Sequence, residues 1–400
     1  MRRKAFMSAV ISLIALAGAS LIHARRSLYS VGQTPPSRPS QPPNSSTAYV
    51  RLKMVRIVDN AGLSEPAEVM TMLIPADWKF EGHVKWHPEN SSCPDSENLS
   101  SITFRAASPD GLLSFERFPN TFWMWITNSI AADPPCPLHE PVSAETYVTD
   151  QLLPEVRSGA RVLSAQPERE MSRITTELVR RGNATAIGLG HYVTLQADCT
   201  RVTYEYRIDG HTVQESMLGT LITMSNRRPA NFSGKGNSGK SSEYYSVHAS
   251  DFYASRTPQE QAEPNGIIFA RILISSRANP RWIAGRKEIV SRLRHDPEHP
   301  DGALPRGKLP EMTGQQVADA YRRQAEARMP HAKAYDPSVL PLETFIDSRT
   351  NETVELNGGF EFAWSNNFDE YILTNDSKFS PAVEFKEDWV PLRHAAPPQH

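Results

Sequence analysis

Residues 200–225 read TRVTYEYRIDGHTVQESMLGTLITMS. Two runs rich in β-branched and aromatic residues flank Asp209-Gly210. That dipeptide suits the two left-handed positions of a type I′ turn, so the segment reads as one long antiparallel hairpin. Upstream, YVRLKMVRIVD (49–59) places Val50, Leu52, Met54 and Arg56 on one face. PAEVMTMLIP (66–75) and KFEGHVKWH (79–87) continue the strand pattern, and LSSITFRAASPDGLLSFERF (99–118) is a hairpin turned by Ser108-Pro109-Asp110-Gly111. TFWMWIT (121–127) is a further strand, with Trp123 and Trp125 on one face and Phe122, Met124 and Ile126 on the other.

Helical signals interrupt these strands. SAETYVTDQLLPEVRSG (143–159) has Ser143 as N-cap and Gly159 beyond its end. PEREMSRITTELVRRGNA (167–184) is a second helix, EYYSVHASDFYAS (243–255) a strand, and PNGIIFARILISSRANPRW (264–282) one amphipathic helix. Strands, helices, hairpin strands and a helix follow one another without βαβ alternation. The expected fold class is therefore α+β, an antiparallel sheet packed with helices. Residues 295–310 form a proline-containing linker, and a helix over 313–329 and strands ETFIDS, TVEL, FEFAWS and EYILT make a C-terminal helix and β-meander. The expected divisions are 1–24, 25–48, 49–294, 295–310 and 311–394.

The first 24 residues carry Arg2, Arg3 and Lys4, then the apolar stretch Ala5–Ile22 with Ala17-Gly18-Ala19, the pattern of a cleaved signal peptide. An uncleaved N-terminal anchor is the alternative. Residues 25–48 read as a disordered Pro/Ser-rich spacer. The expected location is extracytoplasmic, periplasmic or secreted, in a bacterium, with no transmembrane segment after cleavage. In an oxidising compartment one pair among Cys93, Cys136 and Cys199 is expected. Cys93–Cys136 is preferred, because both lie in Pro-containing loops flanking the same strands.

The landmarks LIPADWKFEGHVKW (73–86), SPDG (108–111) and RILISSRANPRW (271–282) resemble those of uncharacterised secreted bacterial proteins. Their strand order is similar to the Mog1/PsbP-type α+β sandwich. The resemblance spans 49–285 and implies a non-enzymatic binding module by analogy of fold.

Candidate chemistry is sparse. Gly234, Gly239, Lys240 and Ser241 spell the P-loop pattern. A P-loop needs a strand ending at its first glycine and a helix starting at its Lys-Ser. Here Asn226–Ser233 intervenes before it and an alternating strand pattern follows, so the chain is not read as a P-loop NTPase and no cofactor is expected. His83 and His87 sit four apart in a strand, about 13 Å between Cα atoms, and Pro297 breaks any helix joining His295 to His299, so no metal site is expected. Cys199 is a lone thiol beside His191 in sequence, and a buried cysteine is the ordinary reading. Adjacent carboxylates such as Asp369-Glu370 and Glu387-Asp388 point to opposite faces of an extended chain, and no catalytic residue is assigned. A net charge of −2 gives no electrostatic case for nucleic acid.

Aromatic stripes are the remaining signal. Trp123 and Trp125 share one face, and Phe360, Phe362 and Trp364 another, so Trp123, Trp125 and Trp364 are the candidate ligand-facing residues. The same stripes also suit a core-facing sheet surface. Basic residues dominate 271–333 and acidic ones 341–390, which suggests that the two regions dock. The functional expectation is an exported, non-enzymatic binding or envelope-interaction protein, its partner an envelope protein or a glycan. The alternative is an extracytoplasmic hydrolase or carbohydrate-active protein using acidic residues.

Overall fold

A computed structural model describes residues 49–90, 93, 99–127, 136–182, 193–228, 242–258, 265–295 and 307–395. The expected signal peptide and spacer, the P-loop-like Gly234–Ser241 and linker residues 296–306 lie outside the described residues.

The hairpin is built from β8 (Val193–Ile208) and β9 (His211–Arg228). Asp209 (φ 48°) and Gly210 (φ 85°) both occupy the left-handed region that a type I′ turn demands. β10 (Ser242–Pro258) runs antiparallel along β9 for most of its length. Its other edge pairs with β5 (Ser114–Arg117) at one end and β6 (Thr121–Ile126) at the other. β4 (Ser100–Ala107) and β3 (Lys79–Trp86) extend the sheet beyond β5, and β7 (Arg161–Pro167) closes the far edge beside β8.

The second sheet has the order β11-β2-β1-β15-β14-β16-β12-β13. Its members are β1 (Tyr49–Asp59), β2 (Ala67–Pro75), β11 (Arg277–Ala278), β12 (Leu342–Asp347), β13 (Thr353–Asn357), β14 (Phe362–Ser365), β15 (Glu370–Thr374) and β16 (Val390–His394). The fold is thus mixed α+β with antiparallel sheets. The sheet does not follow the sequence division at 295–310: β1 pairs with β15, Tyr49 opposite Thr374 and Lys53 opposite Glu370. Contacts between the basic and acidic regions are also present. Arg277 pairs with Glu355, Asn357 Nδ2 donates to the Arg271 carbonyl at 3.3 Å, and the Arg271 guanidinium lies 5.1 Å from the Phe360 ring.

Helix α1 opens as an α-turn at Ala144–Thr146, becomes π-helical over Tyr147–Leu152 and closes as α over Leu153–Val156. Ser143 Oγ caps it by accepting from the Thr146 N–H at 3.0 Å. Pro154 has no N–H for the ladder, and the turn before it widens, Leu153 N–H reaching the Val148 carbonyl. Helix α2 spans Arg169–Gly182. The single helix expected over 264–282 is two. Helix α3 (Gly266–Ser275) stops, Arg277 and Ala278 form β11 against β2, and α4 (Pro280–His295) restarts. The break follows from Asn279-Pro280: a residue before proline avoids helical backbone, whereas proline suits the first helical position. Asn279 Oδ1 caps the new helix by accepting from the Arg281 N–H at 3.0 Å. Helix α5 (Gly314–Tyr335) begins with a capping box between Thr313 and Gln316, and α6 (Pro381–Phe385) is a single short turn.

The largest core lies where β1–β5, β10, α3 and α4 meet. Phe115 is fully buried at its centre, stacked on Tyr253 (5.5 Å) and Phe269 (5.7 Å) and met edge-on by Tyr335 (5.6 Å). Burying such a ring contributes about 3 kcal/mol. At the rim of this core the Asp59 carboxylate is 1% exposed. Its Oδ1 accepts from the backbone N–H groups of Ala61 (2.9 Å) and Gly62 (3.0 Å). Its Oδ2 accepts from the indole N–H of Trp282 (2.9 Å), and the Trp86 indole N–H is shared between the two oxygens at 3.2 and 3.1 Å. Gly62 is required here, since a Cβ would sit 2.3 Å from the Trp86 ring.

Replacing Asp59 by alanine leaves these buried donors without an acceptor. Asp59→Ala is expected to lower the unfolding free energy by about 3 kcal/mol or more. Urea unfolding followed by tryptophan fluorescence measures this, and a loss under about 1 kcal/mol would contradict a structural role for the carboxylate.

Candidate functional site

The structure separates the three candidate tryptophans. Trp123 is 3% exposed, its ring stacked 5.4 Å from Tyr147 of α1, and it is a core residue rather than a ligand-facing one. Alternation along β6 does not distinguish an inner from an outer face, because both faces are covered: Phe122 and Met124 pack on the Cys93–Cys136 disulfide. The two sulfurs are 2.23 Å apart and the bridge spans 43 residues. Trp125 is half-buried, opposite Tyr245 of β10. Cys199 is buried with Sγ 3.1 Å from Thr220 Oγ1, and burial pushes its thiol pKa up, away from nucleophilic chemistry. His191 lies outside the described residues, and among those described no group of three or more His, Cys, Asp or Glu can hold a metal ion.

One pair of carboxylates is brought together that sequence spacing could not show. Glu116 of β5 and Glu215 of β9 both contact Arg157, which follows the last turn of α1, at 2.6 and 2.9 Å from the same Nη2. Glu215 is fully buried. Oε1 accepts from Tyr204 Oη (2.6 Å) and Oε2 from Tyr206 Oη (2.5 Å), while Arg157 Nε adds 3.1 and 3.3 Å contacts. Arg256 Nη1 in turn donates to Tyr206 Oη at 3.1 Å. Tyr204, Glu215 and Arg256 share one cross-strand row, so the register of the hairpin assembles the network. Burial, opposed by Glu215 and Glu116, leaves Arg157 held well above the usual arginine range. Both oxygens of Glu215 are occupied by internal donors, and both are contacted by the permanent cation of Arg157. This arrangement favours a structural pair over the acid and base of a hydrolase.

Trp364 has a different setting. On β14 it lies in the row Arg51–Ile372–Trp364, beside the row Tyr49–Thr374–Phe362. Over this face folds the segment carrying α6. Trp364 stacks on Phe362 (6.1 Å) and is met edge-on by Phe379 (6.0 Å). Phe379 lies 4.7 Å from Tyr49, which is 5.4 Å from Phe385. Each of these five rings is half-buried. The Arg51 guanidinium sits 4.7 Å from the Phe385 ring and 5.5 Å from Trp389, held by Glu370 (2.7 Å) and Glu387 (3.3 Å). Arg51 Nε and Trp389 Nε1 are buried without a hydrogen-bond partner among the described residues. Phe360, expected on this face, is not there: it precedes the strand, in an irregular stretch, and packs on the opposite side with Leu52, Leu356 and Arg271. The result is a run of rings with cationic and acidic groups along one margin, a composition that suits stacking with polar recognition beside it.

No protein-family model, curated protein or solved structure matches this chain.

The tyrosine network makes a pH prediction. Burial, reinforced by the Glu215 charge, pushes the Tyr204 and Tyr206 phenols above their ordinary value of 10. From about pH 10 upward the unfolded chain therefore loses protons that the folded chain keeps, so stability is complete below pH 10 and falls as pH rises above it. The urea midpoint is expected to fall from about pH 10, and less steeply in Tyr206→Phe. An identical slope in that variant would dissociate Tyr206 from the effect.

Proposed function

We propose that this chain is an exported, non-enzymatic binding protein that holds a glycan or an envelope protein on the aromatic face around Trp364. The observation that carries the reading is that face: Tyr49, Phe362, Trp364, Phe379 and Phe385 in ring contact and half-exposed, bordered by Arg51, Glu370 and Glu387. Rings of this kind stack on the apolar faces of sugars or on side chains of a partner, and the charged margin supplies hydrogen bonds. In this reading the helix and strands of 311–394 are the part that presents the ligand, with β1 as their neighbour.

The Cys93–Cys136 bridge supports an oxidising, extracytoplasmic location in a bacterial envelope, reached by a signal peptide over 1–24 and a spacer over 25–48. A Mog1/PsbP-like relationship for 49–285 is part of the same proposal, supported by the mixed α+β build with antiparallel sheets.

Thermal-shift titration of the mature chain against soluble glycans, peptidoglycan fragments, nucleotides and divalent metals tests the proposal. Saturable stabilisation by a glycan or a peptidoglycan fragment is expected, weakened about tenfold in Trp364→Ala or Phe379→Ala. A protein partner is expected to be retained from an envelope extract by the native chain and lost by the same variants. Binding that both variants leave unchanged would place the site elsewhere and overturn the assignment.

A further inference from the structure

Residues 382–388, which include most of α6, form an arm over the aromatic face. All of them are exposed except Phe385, and Val383 is 78% exposed. Among the described residues the arm's backbone hydrogen bonds are local, the Val383 and Glu384 N–H groups reaching the Ser380 carbonyl at 3.1 and 3.2 Å. Its hold on the face comes from two side chains that flank Lys386, a residue with left-handed backbone (φ 55°). Phe385 lies 5.4 Å from the Tyr49 ring and 4.7 Å from the Arg51 guanidinium, and Glu387 Oε2 lies 3.3 Å from Arg51 Nη2.

The seat under the arm offers more than the arm uses. Glu370 already pairs with Arg51 Nη2 at 2.7 Å, so Glu387 is a second carboxylate on the same nitrogen, by a longer bond and with a side chain 40% exposed. An ion pair of that kind adds little stability. Arg51 Nε shares one edge of the guanidinium with Nη2, and it is buried without a hydrogen-bond partner among the described residues. The same holds for the indole N–H of Trp389, a residue 8% exposed whose ring lies 5.5 Å from that guanidinium. A carboxylate spanning the Nε–Nη2 edge makes the two parallel bonds that arginine is shaped for, whereas Glu387 makes one.

We propose that the arm is an internal stand-in for the ligand, and that its seat takes a peptide segment of a partner protein with a carboxylate two residues beyond an aromatic side chain, as Glu387 stands to Phe385. The inference rests on the assignment of the face around Trp364 as the binding surface. On binding, Phe385 and Glu387 swing away. The incoming ring lies against Tyr49, and the incoming carboxylate spans Arg51 Nε and Nη2 while Glu370 stays in place. Trp364 and Phe379 keep their contact and wall the seat. A peptide is chosen over an acidic sugar because a peptide of this chemistry already occupies the seat.

The probe is a synthetic peptide of the arm itself, SPAVEFKED (380–388), titrated into the full chain by calorimetry. A tethered arm competes at an effective concentration on the order of millimolar, so the native chain is expected to bind the peptide weakly. Phe385→Ala and Glu387→Gln in the protein each unseat the arm and are expected to tighten binding about fivefold or more. The same two substitutions made in the peptide, or Trp364→Ala added to the Phe385→Ala protein, are expected to weaken it about tenfold. Weaker binding in both arm variants, with Trp364→Ala weaker too, makes the arm part of the site and overturns the stand-in while the face survives. No peptide binding in either arm variant overturns the peptide assignment, and a uronic-acid oligosaccharide that binds those variants more tightly than the native chain would transfer the seat to an acidic glycan. Peptide binding that Trp364→Ala leaves unchanged sinks the assignment of the face itself.

Discussion

A buried carboxylate whose oxygens accept from four N–H donors organises the molecule. Asp59 ends β1, Trp86 ends β3 in the other sheet, and Trp282 lies in the first turn of α4, yet all meet at one pair of oxygens. Burying a carboxylate is costly unless its lone pairs are filled, and among the described residues four N–H donors fill them here. The satisfaction is collective. If β1 slipped by one residue, Asp59 would face the other side of its sheet and both indoles would lose their acceptor. The registers of two sheets and the entry angle of a helix are therefore fixed by one side chain.

Much of the local architecture was legible because it is written in turn chemistry. Asp209-Gly210, Ser108–Gly111 and the Ser143 cap each specify backbone geometry within four residues, and the structure has all of them. What lay beyond reach is long-range. The pairing of β1 with β15 leaves no mark on either strand alone, and β7 has an exposed, mixed sequence that does not alternate like a half-buried strand. The break at Ser276–Asn279 was readable in principle from Asn279-Pro280 but was masked by the strong apolar run before it.

The candidate site shows the same division. Alternation identified the faces of β6 and β14 but not what covers them, so Trp123 and Trp364 looked equivalent until α1 was placed on one of them. Glu215 takes its partners from β5, β8 and α1, so its sequence signal is no more than an acidic residue on the core-facing side of a strand. Asp59 and Glu215 are alike in this respect. Both are carboxylates whose oxygens are committed to internal donors, so the acidic groups most deeply placed in the fold are the least available for chemistry. The half-exposed rings around Trp364 are committed to one another only in part.

The pairing of Tyr49 with Thr374 also has a kinetic side. β1 is made early, and its β15 neighbour is synthesised more than three hundred residues later. At ordinary synthesis rates that delay is roughly a quarter of a minute to a minute, during which one edge of β1 has no mate. The Asp209-Gly210 hairpin can close within microseconds of emerging, but the second sheet must wait for the chain to be nearly finished. Assembly is therefore split in time, with β8, β9 and β10 joining as sequence neighbours and the second sheet sealed last across a very long loop. Until β15 arrives, β1 offers one edge of unpaired backbone donors and acceptors to any other strand, its own or a neighbour's.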